Sequence, residues 1–323
     1  MGNVISQMFP PTAKFTEKTL PDQSGKVFIV TGSSSGVGKE LAQILYSRNA
    51  KVYVATRSSE RASRAIESIK TLFPNSKGAL EYLHLDLGDL STIKASAEEF
   101  LSREKRLDVL WNNAGVLTPQ RGSKTKQGYE MHLGTNCVAP FLFTKLLTPL
   151  LKASTHLNVP GTTRVVWVSS SAAEGFSPKG GVDMRNLDYK VDQNPWHKYG
   201  LSKAGNLLHA KEFAKRYGND GIISVALNPG NLSSDLQRHI ARWQNAILQI
   251  FLYEPIHGAY TELFAGLSPD VTIDNNGAWV IPWGRYGPLR ADLEAACKSK
   301  EEGGTGIATQ FWEWSEEQVK SYL

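Results

Sequence analysis

Tyr199 and Lys203 are the residues whose types and spacing best suit acid–base chemistry. The run that follows Tyr199 has apolar residues at spacings of three and four, which predicts a helix. Residues four positions apart share one face of a helix. An ammonium beside a phenol lowers the pKa of the phenol, so the pair could transfer a proton. The same spacing also occurs by chance on surface helices.

A glycine-rich turn near the N-terminus could bind a nucleotide. The apolar run Lys26–Thr31 predicts a strand that is buried on both faces, and a helical pattern follows the turn. Glycines allow the backbone to approach a pyrophosphate, and a helix N-terminus offers N–H groups to it. The turn therefore predicts a dinucleotide site, with an ordinary strand-to-helix turn as the alternative. The residues expected at this site are Gly32, Ser34, Gly36, Val37 and Gly38.

The end of the second predicted strand indicates which dinucleotide would bind. An acidic residue here would hold the ribose 2′-hydroxyl of NAD, whereas an arginine accommodates the 2′-phosphate of NADP. The strand ends at Arg57, with no Asp or Glu beside it. Arg57 is therefore the predicted phosphate-binding residue, and the expected cofactor is NADP(H). Arg61 and Arg64 are expected on the surface.

Strand and helix patterns alternate along the chain. After the first strand, the predicted strands are Lys51–Ala55, Leu80–Leu85, Leu107–Trp111, Arg164–Ser169, Ile222–Leu227 and Gly277–Pro282. Helical patterns cover about 91–105, 129–151 and 256–267, and Pro140 is expected to bend the second of these. This alternation predicts an α/β fold, a Rossmann-type doubly wound parallel sheet of about seven strands with helices on both faces. Ligands bind such sheets at the carboxyl ends of the strands.

The composition is that of an ordinary globular protein. The 323 residues are 41% hydrophobic and 21% charged, and the net charge is +5. This diffuse charge gives no reason to expect a nucleic-acid partner, but it suits anionic ligands or membrane surfaces. The two cysteines form no disulfide framework or metal motif, and a reducing compartment is expected. One domain over 25–323 is predicted, with an N-terminal arm over 1–24.

The N-terminus lacks the basic and apolar regions of a signal peptide, which favours a cytoplasmic location. It does contain Gly2 and Ser6 in the pattern M-G-x-x-x-S, which is typical of N-myristoylation. A single acyl chain gives only marginal, reversible membrane binding. A peripheral membrane contact is therefore a hypothesis, which depends on acylation of Gly2.

Two motifs resemble those of the short-chain dehydrogenase/reductase family, in its single-domain branch. The turn reads TGSSSGVG, as in the family's TGxxxGxG pattern, and the fourth strand ends in the family's NNAG motif. The resemblance implies that the three glycines of the turn cradle the dinucleotide. It further implies cofactor contacts from Asp86, Leu87, Asn113, Ala114, Gly115, Pro229, Gly230 and Leu232. Where some NADP-dependent members carry a basic residue, this chain has Ser35, so the case for NADP(H) rests on Arg57.

The same resemblance assigns four residues to the reaction, namely Asn136, Ser170, Tyr199 and Lys203. The tyrosine is the implied general acid and base. The lysine lowers its pKa and contacts the nicotinamide ribose, the serine polarises a carbonyl, and the asparagine binds a relay water. Alignment on the strand selects Ser170, but a shift of one position would select Ser169 or Ser171.

The remaining segments concern the substrate. The long stretch between Ser170 and Tyr199 resembles that of retinol dehydrogenases and related fungal reductases, and it should form one wall of the substrate pocket. A segment around 231–255 is rich in large apolar residues and is expected to cap the substrate, with a core or dimer helix as the alternative. Both features favour a lipophilic substrate, such as a retinoid, a steroid or a polyketide of fungal secondary metabolism. Trp312 and Trp314 should dock on the body or on a second subunit of a homo-oligomer.

Two other functions are compatible with this fold. A dinucleotide-binding sensor or scaffold would usually lack the tyrosine or the lysine, and both are present here. A sugar-nucleotide epimerase or dehydratase of the family's extended branch usually has the spacing TGxxGxxG and a larger C-terminal domain. The spacing of this chain therefore favours an oxidoreductase of the single-domain branch. Neither the substrate nor the direction of the reaction follows from the sequence.

Overall fold

A computed structural model describes residues 2–233 and 252–323, with side chains from residue 5 onwards. Its centre is one eight-stranded sheet in the order β3-β2-β1-β4-β5-β6-β7-β8. The strands are β1 (Val27–Thr31), β2 (Lys51–Thr56), β3 (Ala79–His84), β4 (Val109–Asn112), β5 (Thr163–Val168), β6 (Ile222–Leu227), β7 (Trp279–Ile281) and β8 (Arg285–Tyr286). Strands β1 to β7 are parallel, and β8 pairs antiparallel with β7. The predicted doubly wound fold is confirmed, with one short strand more than expected.

Helices cover both faces of the sheet. They are α1 (Gly2–Met8), α2 (Gly36–Ser47), α3 (Ser59–Leu72), α4 (Leu90–Arg103), α5 (Met131–Leu133), α6 (Ala139–Thr155), α7 (Ala172–Gly175), α8 (Pro195–Tyr217), α9 (Pro255–Leu267), α10 (Ala291–Cys297) and α11 (Ile307–Val319). Short 3₁₀ turns lie at Gly218–Asp220, Ile273–Asn275 and Lys320–Tyr322. A π-helical segment, Gly134–Val138, joins α5 to α6.

The alternation of side chains along β1 shows how the sheet divides the core. Phe28 and Val30 pack with α2 and α9 on one face, whereas Ile29 packs with α6 and α8 on the other. All five residues of β1 are buried, which is the pattern of a central parallel strand covered on both sides. Helices α8 and α9 therefore reach the same strand ends from opposite faces.

The predicted helix over 129–151 differs in detail from the structure. Pro140 lies in the first turn of α6 and does not bend a continuous helix, because the interruption comes earlier, at the π-helical segment. The stretch Met131–Thr155 is apolar and long enough to cross a membrane, but 67% of its most apolar window is buried in the fold. It therefore serves as a core helix. Helix α4 begins one residue before the predicted range, and its N-cap is Asp89, whose side chain accepts from N–H of Ser91.

The N-terminal segment, expected as an arm over the surface, begins with a helix that is attached to the body. Asn228 donates a hydrogen bond to Gln7 (2.8 Å), and Gln7 donates one to Glu174 (3.1 Å). Arg285 donates to the hydroxyl and the carbonyl oxygen of Ser6, at 2.7 and 2.8 Å. Helix α1 thus joins the turn after β6 to the start of β8.

Candidate active site

A cavity of about 470 Å³ opens at the carboxyl ends of the parallel strands. Most of the residues expected at the cofactor or in the reaction line it. These are Gly32, Ser34, Gly36, Val37, Gly38, Asn113, Ala114, Gly115, Ser170, Tyr199, Lys203, Pro229, Gly230 and Leu232. The sheet therefore brings together residues that are up to 200 positions apart in the chain. Most of the predicted lid falls outside the described residues, apart from 231–233 and 252–255.

The glycine-rich turn lies directly against the end of β4. Gly32 has φ +70°, and a Cβ atom there would lie 2.9 Å from Cα of Ala114. A Cβ atom on Gly38 would lie 2.5 Å from Nδ2 of Asn113. Helix α2 begins at Gly36, so its N-terminus is at the cavity. This close-packed turn and the exposed N–H groups of the helix fit a dinucleotide pyrophosphate.

Hydrogen bonds connect the ends of β1 and β4. Nδ2 of Asn113 donates to the carbonyl oxygen of Thr31 (2.7 Å), and N–H of Ala114 donates to the hydroxyl of the same threonine (2.9 Å). The NNAG motif therefore fixes the glycine turn relative to the neighbouring strand. Because these hydrogen bonds already order the turn, the binding of a ligand there costs less conformational entropy.

Of the three serines after β5, Ser170 is the one that faces Tyr199. Its hydroxyl hydrogen-bonds the phenol, and this contact favours the phenolate. The hydroxyl of Ser169 donates to the carbonyl oxygen of Lys203 (2.6 Å), so it holds helix α8 against the strand. The geometry thus distinguishes between serines that the sequence left open by one position.

Tyr199 and Lys203 lie in α8, whose N-cap Asn194 accepts a hydrogen bond from N–H of His197 (2.9 Å). Nζ of Lys203 lies 5.8 Å from the centroid of the tyrosine ring and donates to the carbonyl oxygen of Val168 (2.9 Å). Burial lowers the pKa of Lys203 to about 8. Helix α8 therefore presents both side chains to the cavity.

The electrostatics of Tyr199 differ from the expectation. Lys203 was expected to lower the pKa of the phenol, but burial raises that pKa to about 12, against the opposing hydrogen bond from Ser170. The ammonium group of Lys203 lies over the ring and donates to a backbone carbonyl, and in this position it does not outweigh the effect of burial on the phenol. At neutral pH the tyrosine is therefore protonated and able to donate.

Asn136 lies in the π-helical segment, is fully buried, and sits behind the cavity wall. Its Oδ1 accepts from N–H of Val116 (2.8 Å), and its Nδ2 donates to the carbonyl oxygen of the same residue (3.0 Å) and to the hydroxyl of Ser202 (2.9 Å). Single π-helical turns often occur at functional sites. Asn136 thus joins α8 to the loop after β4.

Two arginines after β2 differ in their position relative to the cavity. The side chain of Arg57 is exposed and does not line the cavity, whereas Arg61 lines it and donates to the hydroxyl of Ser35 (3.4 Å). Arg61 was expected on the surface, and that expectation is wrong. Arg61 is half-buried and lies in the first turn of α3, where its backbone N–H donates to the hydroxyl of the N-cap Ser58 (3.2 Å). Arg64 is at the surface and pairs with Glu60, as expected.

Asp86 and Leu87, expected beside the adenine, do not line the cavity in the described structure. The carboxylate of Asp86 accepts a hydrogen bond from N–H of Gly88 (2.8 Å), which closes a turn after β3. The side chain of Leu87 is buried in the core. Their placement supports the turn, and a contact with a cofactor stays a prediction.

Sequence reasoning did not name several residues of the cavity individually, and three of them bear on its chemistry. Phe176 and Trp196 line its mouth, with ring centroids 5.3 Å apart, although about half of each side chain is exposed. They come from the stretch before Tyr199 that was expected to form a wall. The third is Glu262, in α9, which is fully buried. In the sequence, Glu262 is a single acidic residue within an apolar helical pattern, and no neighbouring motif indicates that it has a function.

Comparison with known proteins agrees with this geometry. Residues 26–182 match the family model described as short chain dehydrogenase. The chain is 54% identical to a short-chain dehydrogenase/reductase of Phomopsis amygdali, with 100% of this chain and 98% of that protein covered. It is 50% identical to one of Neocamarosporium betae, with coverage of 100% and 94%. These relatives are fungal, in agreement with the resemblance to fungal reductases.

Solved structures support the same fold. An uncharacterised protein from Mycobacterium paratuberculosis is 27% identical, with a TM-score of 0.67 over 96% of this chain and 98% of that one. The NADPH-bound carbonyl reductase from chicken fatty liver is 22% identical, with a TM-score of 0.60 over 80% and 96%. At this identity the second likeness concerns the fold alone.

Proposed function

Because this chain belongs to the short-chain dehydrogenase/reductase family, we propose that it is an NADP(H)-dependent oxidoreductase that interconverts a carbonyl and an alcohol on a lipophilic small molecule. The observation that carries this proposal is that Ser170, Tyr199 and Lys203 line the same cavity as the glycine-rich turn. A site for proton transfer and a site for a dinucleotide are therefore one continuous space.

The bound cofactor supplies or accepts the hydride, and the protein orients the reactants. In reduction, the protonated phenol of Tyr199 donates a proton to the oxygen of the substrate, and in oxidation the phenolate accepts it. The hydroxyl of Ser170 hydrogen-bonds the same oxygen and polarises it. The ammonium of Lys203 favours the phenolate that forms as the proton leaves. Asn136 holds the loop after β4 and, in the proposed relay, orders a water near this lysine.

The preference for NADP(H) rests on Arg61 and on the missing acid after β2. A guanidinium group at the glycine turn suits a 2′-phosphate, since its planar fork binds phosphate with two donors. We expect Arg61→Ala to lower kcat/KM for NADPH at least about tenfold and to leave kcat/KM for NADH unchanged. Arg64→Ala is the matched control, because that side chain lies at the surface one turn further along α3.

Arg57→Ala separates the residue chosen from the sequence from the one chosen from the structure. A loss of NADPH activity in this variant, with normal activity in Arg61→Ala, would return the phosphate site to Arg57. A clear preference of the unaltered protein for NADH would refute the NADP(H) assignment as a whole.

The lipophilic substrate class is inferred from the rim of the cavity. The half-exposed rings of Phe176 and Trp196 offer an aromatic surface at its mouth, and Leu117 and Leu252 also line it. Apolar walls with a few polar groups are typical of sites for small lipophilic ligands. NADPH oxidation with a panel of aromatic and aliphatic ketones and aldehydes tests the class. Equal turnover of small polar carbonyls would contradict it.

A catalytically silent sensor or scaffold is the alternative. The geometry gives it no particular support, since the proposed acid, its serine partner and the lysine all line one cavity. The same panel separates the two functions, because a sensor would bind NADPH without oxidising it in the presence of any carbonyl.

We also propose a cytoplasmic location with reversible membrane contact. Apolar side chains of the N-terminal segment are exposed, including Ile5 and Phe9. Acylation of Gly2 would add to this surface. Intact-mass measurement of protein from its native host tests the modification, and a mass without an added acyl chain would end the proposal.

A further inference from the structure

Glu262 is a buried acid that the proposed reaction does not use. Glu262 is one of the residues that line the cavity, yet it is 0% exposed to solvent. Neither of its carboxyl oxygens has a hydrogen-bond partner among the described residues. Buried polar groups without partners are rare in folded proteins and call for an explanation. A carboxyl group that borders a ligand cavity has an obvious candidate partner, namely the ligand.

The packing of α9 explains how this side chain comes to face the cavity. Gly258 and Gly266 lie one turn before and one turn after Glu262, on the same face of the helix. A Cβ atom at Gly258 would collide with Leu232, and one at Gly266 would collide with the ring of Trp111. Nε1 of Trp111 also donates to the carbonyl oxygen of Glu262 (2.9 Å). The helix is therefore held close to β4 and to the turn after β6.

Burial leaves the carboxyl group of Glu262 protonated at neutral pH. Burial raises its pKa to about 8, and the ammonium of Lys203, in α8, acts against this rise. In the neighbouring α2, burial raises the pKa of Glu40, and the charge of Lys39, the residue before it in the chain, acts against this rise. In β5, Arg164 donates to carbonyl oxygens at and beyond the C-terminal end of α9. A protonated carboxyl group is a hydrogen-bond donor, whereas a carboxylate is not.

We propose that Glu262 is part of the dinucleotide site, where it acts as a carboxylic acid that donates a hydrogen bond, directly or through one water, to an acceptor oxygen of the bound cofactor. The inference extends the proposed function, on which it rests. The glycine turn lines the same cavity, and a Cβ atom at Gly258, one turn before Glu262, would lie 3.1 Å from Val37 of that turn. A pyrophosphate at the turn would present acceptors and negative charge. A hydrogen-bond donor suits this environment, whereas a carboxylate would repel the negatively charged pyrophosphate.

The test compares Glu262→Gln, which keeps a donor of similar shape, with Glu262→Met, which removes it. NADPH binding to the full-length chain is measured by titration calorimetry from pH 6.5 to 9, and NADH is measured in parallel. At pH 6.5 we expect Glu262→Gln to bind NADPH within about threefold of the unaltered protein, and Glu262→Met to bind about tenfold more weakly. Circular dichroism verifies that both variants are folded.

The pH dependence gives a second readout. As pH rises, the free carboxyl group of the unaltered protein ionises and must regain its proton to bind. Its affinity should therefore fall about tenfold more than that of Glu262→Gln between pH 6.5 and 9. Lys203 is present in both proteins, so its ionisation contributes to both profiles. If Glu262→Met does not fold, the pH profiles of the unaltered protein and of Glu262→Gln still test whether Glu262 donates a proton-dependent hydrogen bond.

Three outcomes would overturn the inference. Glu262→Met could bind as tightly as the unaltered protein, or Glu262→Gln could show the same pH profile. Alternatively, Glu262→Gln could bind as weakly as Glu262→Met, which would indicate a carboxylate paired with Lys203. Each leaves the proposed function intact if the unaltered protein binds NADPH more tightly than NADH. The reverse cofactor preference would refute the NADP(H) assignment, and the Glu262 comparison would then be decided with NADH.

Discussion

Helices α8 and α9 pack on opposite faces of the sheet, and each contributes a buried basic or acidic residue to the same cavity, Lys203 from α8 and Glu262 from α9. They differ in what those side chains contact. The ammonium of Lys203 donates to the carbonyl oxygen of Val168, so it is held in place by the protein itself. The carboxyl group of Glu262 has no such partner in the described structure.

The hydrogen bonding of Lys203 is therefore satisfied by the protein, whereas that of the Glu262 carboxyl group is not. Lys203 is held in position by the protein without a ligand, which suits a group that acts on the reaction. Glu262 stays unsatisfied until an acceptor enters, which suits a group that recognises a ligand. An unsatisfied buried group costs about 1–3 kcal/mol, and a ligand that supplies the partner recovers that free energy on binding.

The largest expected effect lies on the α8 side. Tyr199→Phe removes the proposed proton donor and keeps the ring. Turnover should fall by at least about 10², and by up to about 10⁴, while NADPH binding persists. Steady-state kinetics and a binding titration measure the two quantities. Tyr217→Phe, at the end of the same helix, is the control and should turn over normally. Turnover in Tyr199→Phe close to that of the unaltered protein would remove this residue from the mechanism.

A smaller effect is expected for Glu262→Gln, on the α9 side, in the free energy of unfolding. The pKa of Glu262 is raised from 4.5 to about 8 by burial. The unfolded chain therefore releases a proton between these values that the folded protein keeps, so the stability falls as pH rises. This loss amounts to about 1.4 kcal/mol for each pH unit.

The glutamine variant has no proton to release. From pH 6 to pH 8 it should gain about 2–3 kcal/mol relative to the unaltered protein, as measured by urea unfolding at several pH values. Parallel stability curves for the two proteins would show that Glu262 is ionised in the folded state. The contrast between α8 and α9 would then disappear, because both helices would carry a charge to the cavity.

The two helices also show what could be predicted from the sequence. Tyr199 and Lys203 were found because their spacing, together with the glycine turn and NNAG, matches motifs of the family that the chain resembles. The glycine turn and NNAG were readable for a related reason, since backbone approach and strand-end hydrogen bonds require particular residues at particular positions. Local backbone demands of this kind leave a pattern in the sequence.

The features that were missed depend on tertiary placement. Arg61 reaches the cavity because α3 begins at Ser59, and helix starts are uncertain by one or two residues in any sequence reading. Glu262 is isolated in an apolar helical pattern and would ordinarily be read as a solvated charge. Only the close approach at Gly258 and Gly266 buries it, and that approach depends on residues from other elements.

The packing of α9 predicts the next effect. Gly266→Ala would place a methyl group against the ring of Trp111, which is fixed by its hydrogen bond to the carbonyl oxygen of Glu262. Overpacking costs about 1–3 kcal/mol, and alanine recovers up to about 1 kcal/mol in a helix. A net loss of about 1–2 kcal/mol is expected in urea unfolding. Gly175→Ala is the control, since no atom lies within 4 Å of a Cβ atom there.

The smallest effect is expected for the equivalent change in α8. In Gly205→Ala, the new methyl group would lie 2.7 Å from Sγ of Cys137 and 3.0 Å from Cε1 of Phe311. Sγ of Cys137 donates to the carbonyl oxygen of Ser202 (2.8 Å), but both contacts are longer than the one between a Cβ atom at Gly266 and Cζ2 of Trp111, so smaller shifts relieve them. The helix propensity of alanine should offset most of the cost, leaving a loss of less than about 1 kcal/mol. A larger loss than in Gly266→Ala would show that α8, and not α9, is the more tightly packed of the two helices. The close approach of α9 could then no longer explain why Glu262 is held without a partner.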